Sequence, residues 1–364
     1  MGKFKSFFRR LHDPRAANAQ YELLSILTIA LVAVLCGGKS ATDMADFAKR
    51  KQGLLRQFLP LPKRTPSHDT FSDVFRALDP HGFEQVFRRF VTAFARFHRL
   101  DLDGVIAIDG KSLRGAYERG QSATPVHLVN AFAAKARLAL AARKAPGRKE
   151  LDAALEILQM LRLKRKTVTA DALFCSRAFA RNVLDQGGHY VLALKGNQGK
   201  LFANVASRFA HKGERDTAQE LLDPSHDRRE RRHAAVMRDN ALAARHNFPG
   251  IVAIGRITCW RKRKGDPANK PFVRYFLLSR HLSAKRLLAI VRSHWAIENT
   301  LHWVLDVDLA EDASRARKDA APENFGVLRR LALNLLHAHP AEISVRRKMN
   351  AAAWDDKFLL RLFA

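Results

Sequence analysis

Gly104-Val-Ile-Ala-Ile-Asp109 and Lys166-Thr-Val-Thr-Ala-Asp171 are two short runs of strand-forming residues, each ending on an aspartate. Unbroken apolar and β-branched runs of this length read as buried strands of the kind found in parallel sheets. A carboxylate at the C-terminal end of such a strand stands at the sheet edge, where ligands bind in open α/β folds. Working outward, further strands are expected at 126–132, 138–142 and 190–194, with helices at 151–161 and 176–186, the latter closed by Gly187-Gly188. Between residues 194 and 285 the rhythm is interrupted by a charged stretch, Arg228-Arg-Glu-Arg-Arg232, and by strand-like runs at 251–260 and 272–278. This region reads as a β-rich insertion placed before a last helix over 287–305.

The order β-β-β-α-β-α-β with a late helix is similar to that of a ribonuclease-H-like domain. The expected fold class is therefore α/β: a ribonuclease-H-like domain over 101–340 with an insertion at about 196–284, a helical N-terminal domain over 1–100, and a C-terminal tail over 341–364. In the helical part, Leu23, Leu24, Leu27, Leu31 and Val34 keep helical spacing until Gly37-Gly38. Ser40 is an N-cap for a second helix. The Pro-rich turn Leu59-Pro-Leu-Pro-Lys-Arg-Thr-Pro66 precedes Ser67, which caps a helix carrying Phe71, Val74, Phe75 and Leu78. A helix, a turn and a capped helix opening on His68, Asp69 and Thr70 have the form of a helix-turn-helix-like DNA reader, with Ser67, His68 and Thr70 as its contacts. The same pattern also suits an all-helical packing domain.

Lysine and arginine number 64 against 35 acids, a formal net charge of +29. A globular protein gains nothing from that much self-repulsion, and a surface built for solubility mixes both signs. A polyanionic partner follows, and nucleic acid is favoured over a membrane because the basic residues run along the whole chain. Cys36, Cys175 and Cys259 form no CxxC pair and no metal-ligand spacing, as expected of reduced, buried thiols in the cytoplasm. The longest apolar run, 23–36, carries Ser25 and Thr28 and is shorter than the roughly 20 residues a spanning helix needs. Arg9, Arg10, His12 and Asp13 interrupt any signal-peptide pattern. The expectation is a soluble, intracellular protein.

Glu298 is the third acid of interest. At about 100° per residue, Val291, Trp295, Leu301 and Leu305 project within roughly 60° of it, so a regular helix places it on an apolar face. A carboxylate there is costly unless paired. Arg292, His294 or His302 could pair with it; so could a metal held jointly with Asp109 and Asp171. Each aspartate alone is as consistent with a turn, and Asp306 is the best rival for the third place. Together, two strand ends and a helix-borne glutamate suit a pair of Mg²⁺ ions, with Mn²⁺ as substitute, because such ions favour carboxylate oxygens and bridge to phosphate. Lys111, Arg114, Lys195 and Arg292 are close in sequence to these acids and are candidates for meeting DNA phosphates. Gly104 to Ser112 is no P-loop, since five strand-forming residues separate its glycines.

Over nearly its whole length the chain resembles the transposases of the ISAs-type, H-repeat-associated family of bacterial insertion sequences, within the DDE superfamily. The resemblance runs from Asp13-Pro14-Arg15 through Pro66-Ser67-His68-Asp69-Thr70-Phe71, Ala107-Ile-Asp109-Gly-Lys-Ser-Leu-Arg114-Gly115, Thr169-Ala-Asp171-Ala172 and Val191-Leu-Ala-Leu-Lys195-Gly-Asn-Gln198. Its most specific segment is His294-Trp-Ala-Ile-Glu298-Asn-Thr-Leu-His302-Trp, followed by Glu311-Asp312, Arg315, Pro322-Glu-Asn324 and Asn334. It implies that Asp109, Asp171 and Glu298 are a metal-binding triad, that the reaction is Mg²⁺-dependent cleavage at the element's ends and strand transfer into target DNA, and that the active assembly is at least a dimer. Related enzymes often carry Tyr, Arg and Lys around the third acid; Val291, His294 and Leu305 stand there, leaving His294 and Arg292 as candidates to hold DNA. The position of a family glycine before the basic stretch is Asp227. Two other readings stay open: a DNA-binding relic without catalysis, and a nuclease acting on RNA–DNA hybrids.

Overall fold

The computed structural model describes residues 2–117, 124–211, 215–225, 228–263 and 271–363, so Asp227 lies outside the described residues. Its strands are β1 Val105–Tyr117, β2 Pro125–Ala133, β3 Leu138–Lys144, β4 Thr167–Ala170, β5 His189–Leu194, β6 Asp216–Ser225, β7 Arg228–Arg238, β8 Ala253–Arg263 and β9 Phe272–Leu278. Helices connect and flank them, which makes the protein a mixed α/β fold with a large mixed sheet. The chain divides into two compact units: Met1–Leu102 with Gly110–Glu150 and Glu298–Ala364, and Asp103–Asp109 with Leu151–Ile297.

In the second unit the strand order is β1-β4-β5-β9-β8-β7-β6. The first three are parallel, Val105 pairing with Thr167 and Thr167 with His189. The remaining pairs are antiparallel. β4 is buried along its whole length, as its unbroken Thr167-Val-Thr-Ala run requires. The region expected to be a β-rich insertion supplies β6 to β9, together with the helices Gly199–Ala210 and Ala241–His246.

β1 runs on to Tyr117, well past the strand end expected at Asp109. Val105 to Ile108 are all buried, whereas beyond Gly110 buried Lys111, Leu113 and Ala116 are interspersed with more accessible residues. A strand covered on one face only carries polar and charged residues on the other, which hid it from a reading tuned to continuous apolar runs.

The first unit is organised by the helix Ala321–Ala338, buried from Ala321 through Leu336. Arg330 is fully buried and donates through Nη1 to Glu311 Oε1 at 2.7 Å and to the Gly326 carbonyl at 2.8 Å, and through Nε to Asn130 Oδ1 of β2 at 2.6 Å. Asn334 satisfies both the N–H and the carbonyl of Ala139 on β3 at 2.8 Å each. Asn324 donates to the carbonyls of Phe75 and Leu78 at 2.9 Å, closing the C-terminus of the helix His68–Ala77. Three polar side chains on one buried helix thus each satisfy backbone or charge that burial would otherwise strand.

The early part of the chain is helical as the periodicity predicts. The helix Leu23–Leu35 is buried around nearly its whole circumference, which its all-round apolar sequence demands. Ser40 closes a capping box with Asp43. Phe4, Phe8, Phe83 and Phe90 form a ring cluster, and Phe75 stacks on Phe325 at 4.4 Å. The terminal helices Val345–Trp354 and Asp356–Arg361 belong to this unit too: Lys348 donates to the carbonyls of Leu336 and His339, and Lys51 pairs with Asp356 at 2.8 Å. Among the described residues no helix is long and apolar enough to cross a membrane.

Removing one member of a buried ion pair leaves its partner charged and unsatisfied, at a cost of about 3–5 kcal/mol. Arg330→Ala is accordingly expected to lower the free energy of unfolding by about that amount in urea titration, whereas Lys135→Ala, which breaks an ion pair with Asp101 exposed on both sides, should cost about 1 kcal/mol or less.

Candidate active site

Parallel pairing places Ile108 of β1 opposite Ala170 of β4. The next residues, Asp109 and Asp171, therefore stand side by side where the β1–β4 pairing ends, β1 itself running on to Tyr117; neighbouring strands are about 4.8 Å apart. Asp171 is about half exposed and caps the short turn Ala172–Phe174, its carboxylate accepting from the Ala172 N–H. The segment after β5 grips that turn. Asn197 Nδ2 donates to the Ala172 carbonyl at 2.7 Å and Gln198 Nε2 to the Cys175 carbonyl at 2.9 Å. Lys195 Nζ stands 3.6 Å from Asp171 Oδ1. The Lys195-Gly-Asn-Gln198 motif is thus a clasp on the loop that carries the second aspartate.

Glu298 lies in a π-helical turn, Ile297–His302, that continues the helix Ala284–Ala296 and leads into Trp303–Val307. It is exposed, while Ile297, Leu301 and Leu305 are fully buried. The expectation of an apolar face around Glu298 is therefore corrected. That expectation assumed a constant rotation per residue. A π turn holds an extra residue and rotates the rest of the helix about its axis, so the carboxylate meets water and the aliphatic side chains go inward. A metal is not needed to offset its burial. Among the described residues no three His, Cys, Asp or Glu side chains converge closely enough to hold an ion. Asp109 and Asp171 fit a divalent cation by the chemistry of their oxygens and by their register; Glu298 opens the last stretch of the first unit.

The basic candidates separate sharply. Lys111 is corrected from surface charge to a buried ion pair: it is 6% exposed, with Nζ 2.6 Å from Asp306 Oδ1 and 3.0 Å from Asp312 Oδ1. The carboxylates of Asp306 and Asp312 enclose its ammonium, so it is not offered to a phosphate. The same pair engages Asp306, the rival third acid, whose carboxyl burial pushes above its ordinary range despite the bond to Lys111. Arg114 is exposed, with Asp312 at 3.3 Å, and Lys195 is exposed beside Asp171. Arg292 is half exposed and pairs with Glu220 of β6. His294 turns onto β4, its Nδ1 lying 3.0 Å from Thr169 Oγ1. Burial lowers its pKa to about 4, outweighing the opposing pull of the Asp171 charge. Ser67 caps its helix through the Thr70 N–H at 3.3 Å, and His68 is exposed against Asp69. That geometry serves the cap and leaves these residues open at the surface.

Two features escaped the sequence reading. One is Thr169, visible only as part of a strand. The other is a cleft in the second unit, where Arg232, Arg261 and Arg274 of β7, β8 and β9 bring their guanidinium carbons within 5.3, 5.5 and 4.9 Å of the centre of the Trp295 ring. Glu230 binds Arg232 at 2.6 Å and Arg261 at 3.1 Å. Burial opposes its charge, but bonds from Cys259 and Arg232 hold its carboxyl below the usual range. Alternation along β7, β8 and β9 was the available signal, since these residues share one face across neighbouring strands.

Comparison with known proteins finds two family matches along the chain. Residues 5–91 match the family described as DDE_Tnp_1-associated, and residues 101–335 match the transposase DDE domain. The "H repeat-associated putative transposase YhhI" of Escherichia coli (strain K12) is 30% identical over 356 residues, covering 95% of this chain and 93% of that protein. The "Uncharacterized protein in dhlA 3'region" of Xanthobacter autotrophicus is 37% identical over 268 residues, 72% of this chain and 90% of that protein.

The His294 ring carries a pH prediction. Its pKa is about 4 in the fold against an ordinary 6.5, so between these values the unfolded chain binds a proton that the folded chain does not. Stability from this residue is present above pH 6.5 and is lost as the pH falls toward 4. Urea midpoints of the wild type should fall more steeply over that window than those of His294→Asn; parallel curves would contradict the assignment.

Proposed function

The chain belongs to the DDE transposase family, and from that premise we propose that it cuts DNA at the ends of its own insertion element and joins the freed 3′-hydroxyl to target DNA. The observation that carries this reading is the parallel register that sets Asp109 and Asp171 side by side where the β1–β4 pairing ends. Mg²⁺, or Mn²⁺ in its place, is the proposed cofactor, held by these two carboxylates with Glu298 as the third ligand. A divalent cation bound there supplies an activated water or 3′-hydroxyl and stabilises the leaving oxygen of a phosphodiester.

The chain's own residues divide the remaining work. The clasp from Asn197 and Gln198 holds the Asp171 turn in place. Lys195 balances the Asp171 charge in the absence of metal and is free to turn to a DNA phosphate when metal arrives. Exposed Arg114 offers its guanidinium to the backbone, the geometry that suits phosphate best. The strand order and the late helix favour a ribonuclease-H-like catalytic domain over 101–340, with the helical residues 1–100 as an associated DNA-contacting part through Ser67, His68 and Thr70, and 341–364 as a tail. Double-stranded DNA, the element's terminal repeats and the target, is the proposed partner. Assembly on DNA as at least a dimer, and action in the bacterial cytoplasm at the nucleoid, complete the reading.

A labelled duplex carrying the element's terminal repeat tests it. The wild type should nick at the repeat boundary with Mg²⁺ and not with EDTA, and Asp109→Asn should abolish nicking. Binding of the repeat without cutting under any divalent metal would establish instead a DNA-binding relic, and cutting of a plain RNA–DNA hybrid would establish a different nuclease. Glu298→Gln should lose more activity than the roughly 10- to 100-fold typical for partners of metal ligands, while repeat affinity in a gel-shift assay is retained; full activity in this variant would exclude Glu298 from the site.

A further inference from the structure

Resting on the proposed carboxylate site, we propose that Thr169 and His294 are positioning residues for it, linked by hydrogen bonds that tie β1 and β4, the strands whose register brings Asp109 and Asp171 together, to the helix Ala284–Ala296. Thr169 Oγ1 lies 3.0 Å from His294 Nδ1 on the helix Ala284–Ala296 and 3.5 Å from the Ile106 carbonyl on β1. Ile106 precedes Asp109 on β1, and Thr169 precedes Asp171 at the end of β4. His294 stands one helical turn before Glu298, on the helix that runs directly into the π turn. One hydroxyl therefore joins a strand, its neighbour and a helix, with the two strand positions within three residues of Asp109 and Asp171.

The residue types suit this task. Thr169 is 2% exposed and lies on the same face of β4 as Asp171, since side chains two apart share a face. Its hydroxyl both donates and accepts, so it can serve a carbonyl and a ring nitrogen at once. A neutral imidazole brings no net charge into the interface between β4 and the helix. An arginine at position 294, the residue that related enzymes often carry, would introduce a charge beside Thr169. This chain therefore uses the position inward, as a brace between elements, and leaves contact with DNA to other groups.

The test uses the full-length protein in four forms: Thr169→Val, which keeps the shape and deletes the hydroxyl; Thr169→Ser, which keeps the hydroxyl; His294→Ala; and the double variant Thr169→Val with His294→Ala. Three quantities are read: nicking rate on the terminal-repeat duplex, Mn²⁺ affinity of the DNA-free protein from the free-ion paramagnetic resonance signal, and duplex affinity. Thr169→Val and His294→Ala should each lower nicking rate and Mn²⁺ affinity roughly 10- to 100-fold. The double variant should lose no more than the worse single one, because both remove the same link. Thr169→Ser should stay close to wild type, and duplex affinity should not change.

Multiplying losses in the double variant, or a Thr169→Ser protein as impaired as Thr169→Val, would overturn the brace. So would unchanged Mn²⁺ affinity in Thr169→Val when Asp109→Asn weakens it. Unchanged Mn²⁺ affinity in Asp109→Asn itself would instead overturn the underlying metal reading. If His294→Ala fails to fold, the valine and serine variants at Thr169, nearly equal in volume to the native residue, still decide between the outcomes.

Discussion

Parallel pairing of β1 with β4 is the constraint on which the candidate site depends, because a strand's side chains alternate and a slip of one residue would send Asp171 to the opposite face. Parallel neighbours cannot be joined by a tight turn; the chain leaves β3, crosses through the helix Glu150–Met160 and returns as β4. Contacts at the start of the pair set its register. The Thr167 N–H donates to the Gly104 carbonyl at 2.8 Å, and Lys166 holds Asp103 at 2.7 Å. Gly104 itself has φ of 103°, a backbone conformation that side chains with a Cβ rarely adopt. Register at the entrance of the pair therefore decides which side chains stand together at its exit.

Charge is the second organising theme. A net charge of +29 does not mean that every basic residue faces solvent. Lys111 is enclosed by Asp306 and Asp312, Arg330 by Glu311, and Arg232 and Arg261 by Glu230. Such pairs gain little over apolar packing, but once built they are costly to break and so fix the geometry around them. The excess that remains includes exposed Arg114, five residues after Asp109 on β1, and exposed Lys195, 3.6 Å from Asp171. A polyanionic substrate is drawn by the whole charge and oriented by these few groups.

Much of the fold was legible in residue order. The apolar runs at β1 and β4, the short strands expected at 126–132, 138–142 and 190–194, and the glycine stop after the helix Arg177–Asp185 all appear where pattern and turn chemistry place them. The adjacency of Asp109 and Asp171 follows from the pairing of those two runs, although β1 runs on past Asp109 and only the β4 run ends at its aspartate. Glu298 was found as a residue but its surroundings were not, because a π turn leaves no mark in hydrophobic periodicity. Lys111 was misjudged because a lysine next to a candidate acid looks like a phosphate ligand until the carboxylates nearly 200 residues later are seen to close on it. The bond from Thr169 to His294 spans a similar gap in sequence, and no local signal announces it. Long-range pairing of short polar side chains is what single-sequence reasoning cannot supply.

Whether Asp109 and Asp171 form a divalent-metal site is decided most directly by anomalous X-ray diffraction from crystals soaked in Mn²⁺. An anomalous peak between the carboxylates of Asp109 and Asp171, absent in crystals of Asp171→Asn, is the predicted result. A peak confined to the acids around Lys111, or no ordered Mn²⁺ beside Asp109 in crystals of a DNA complex, would contradict it.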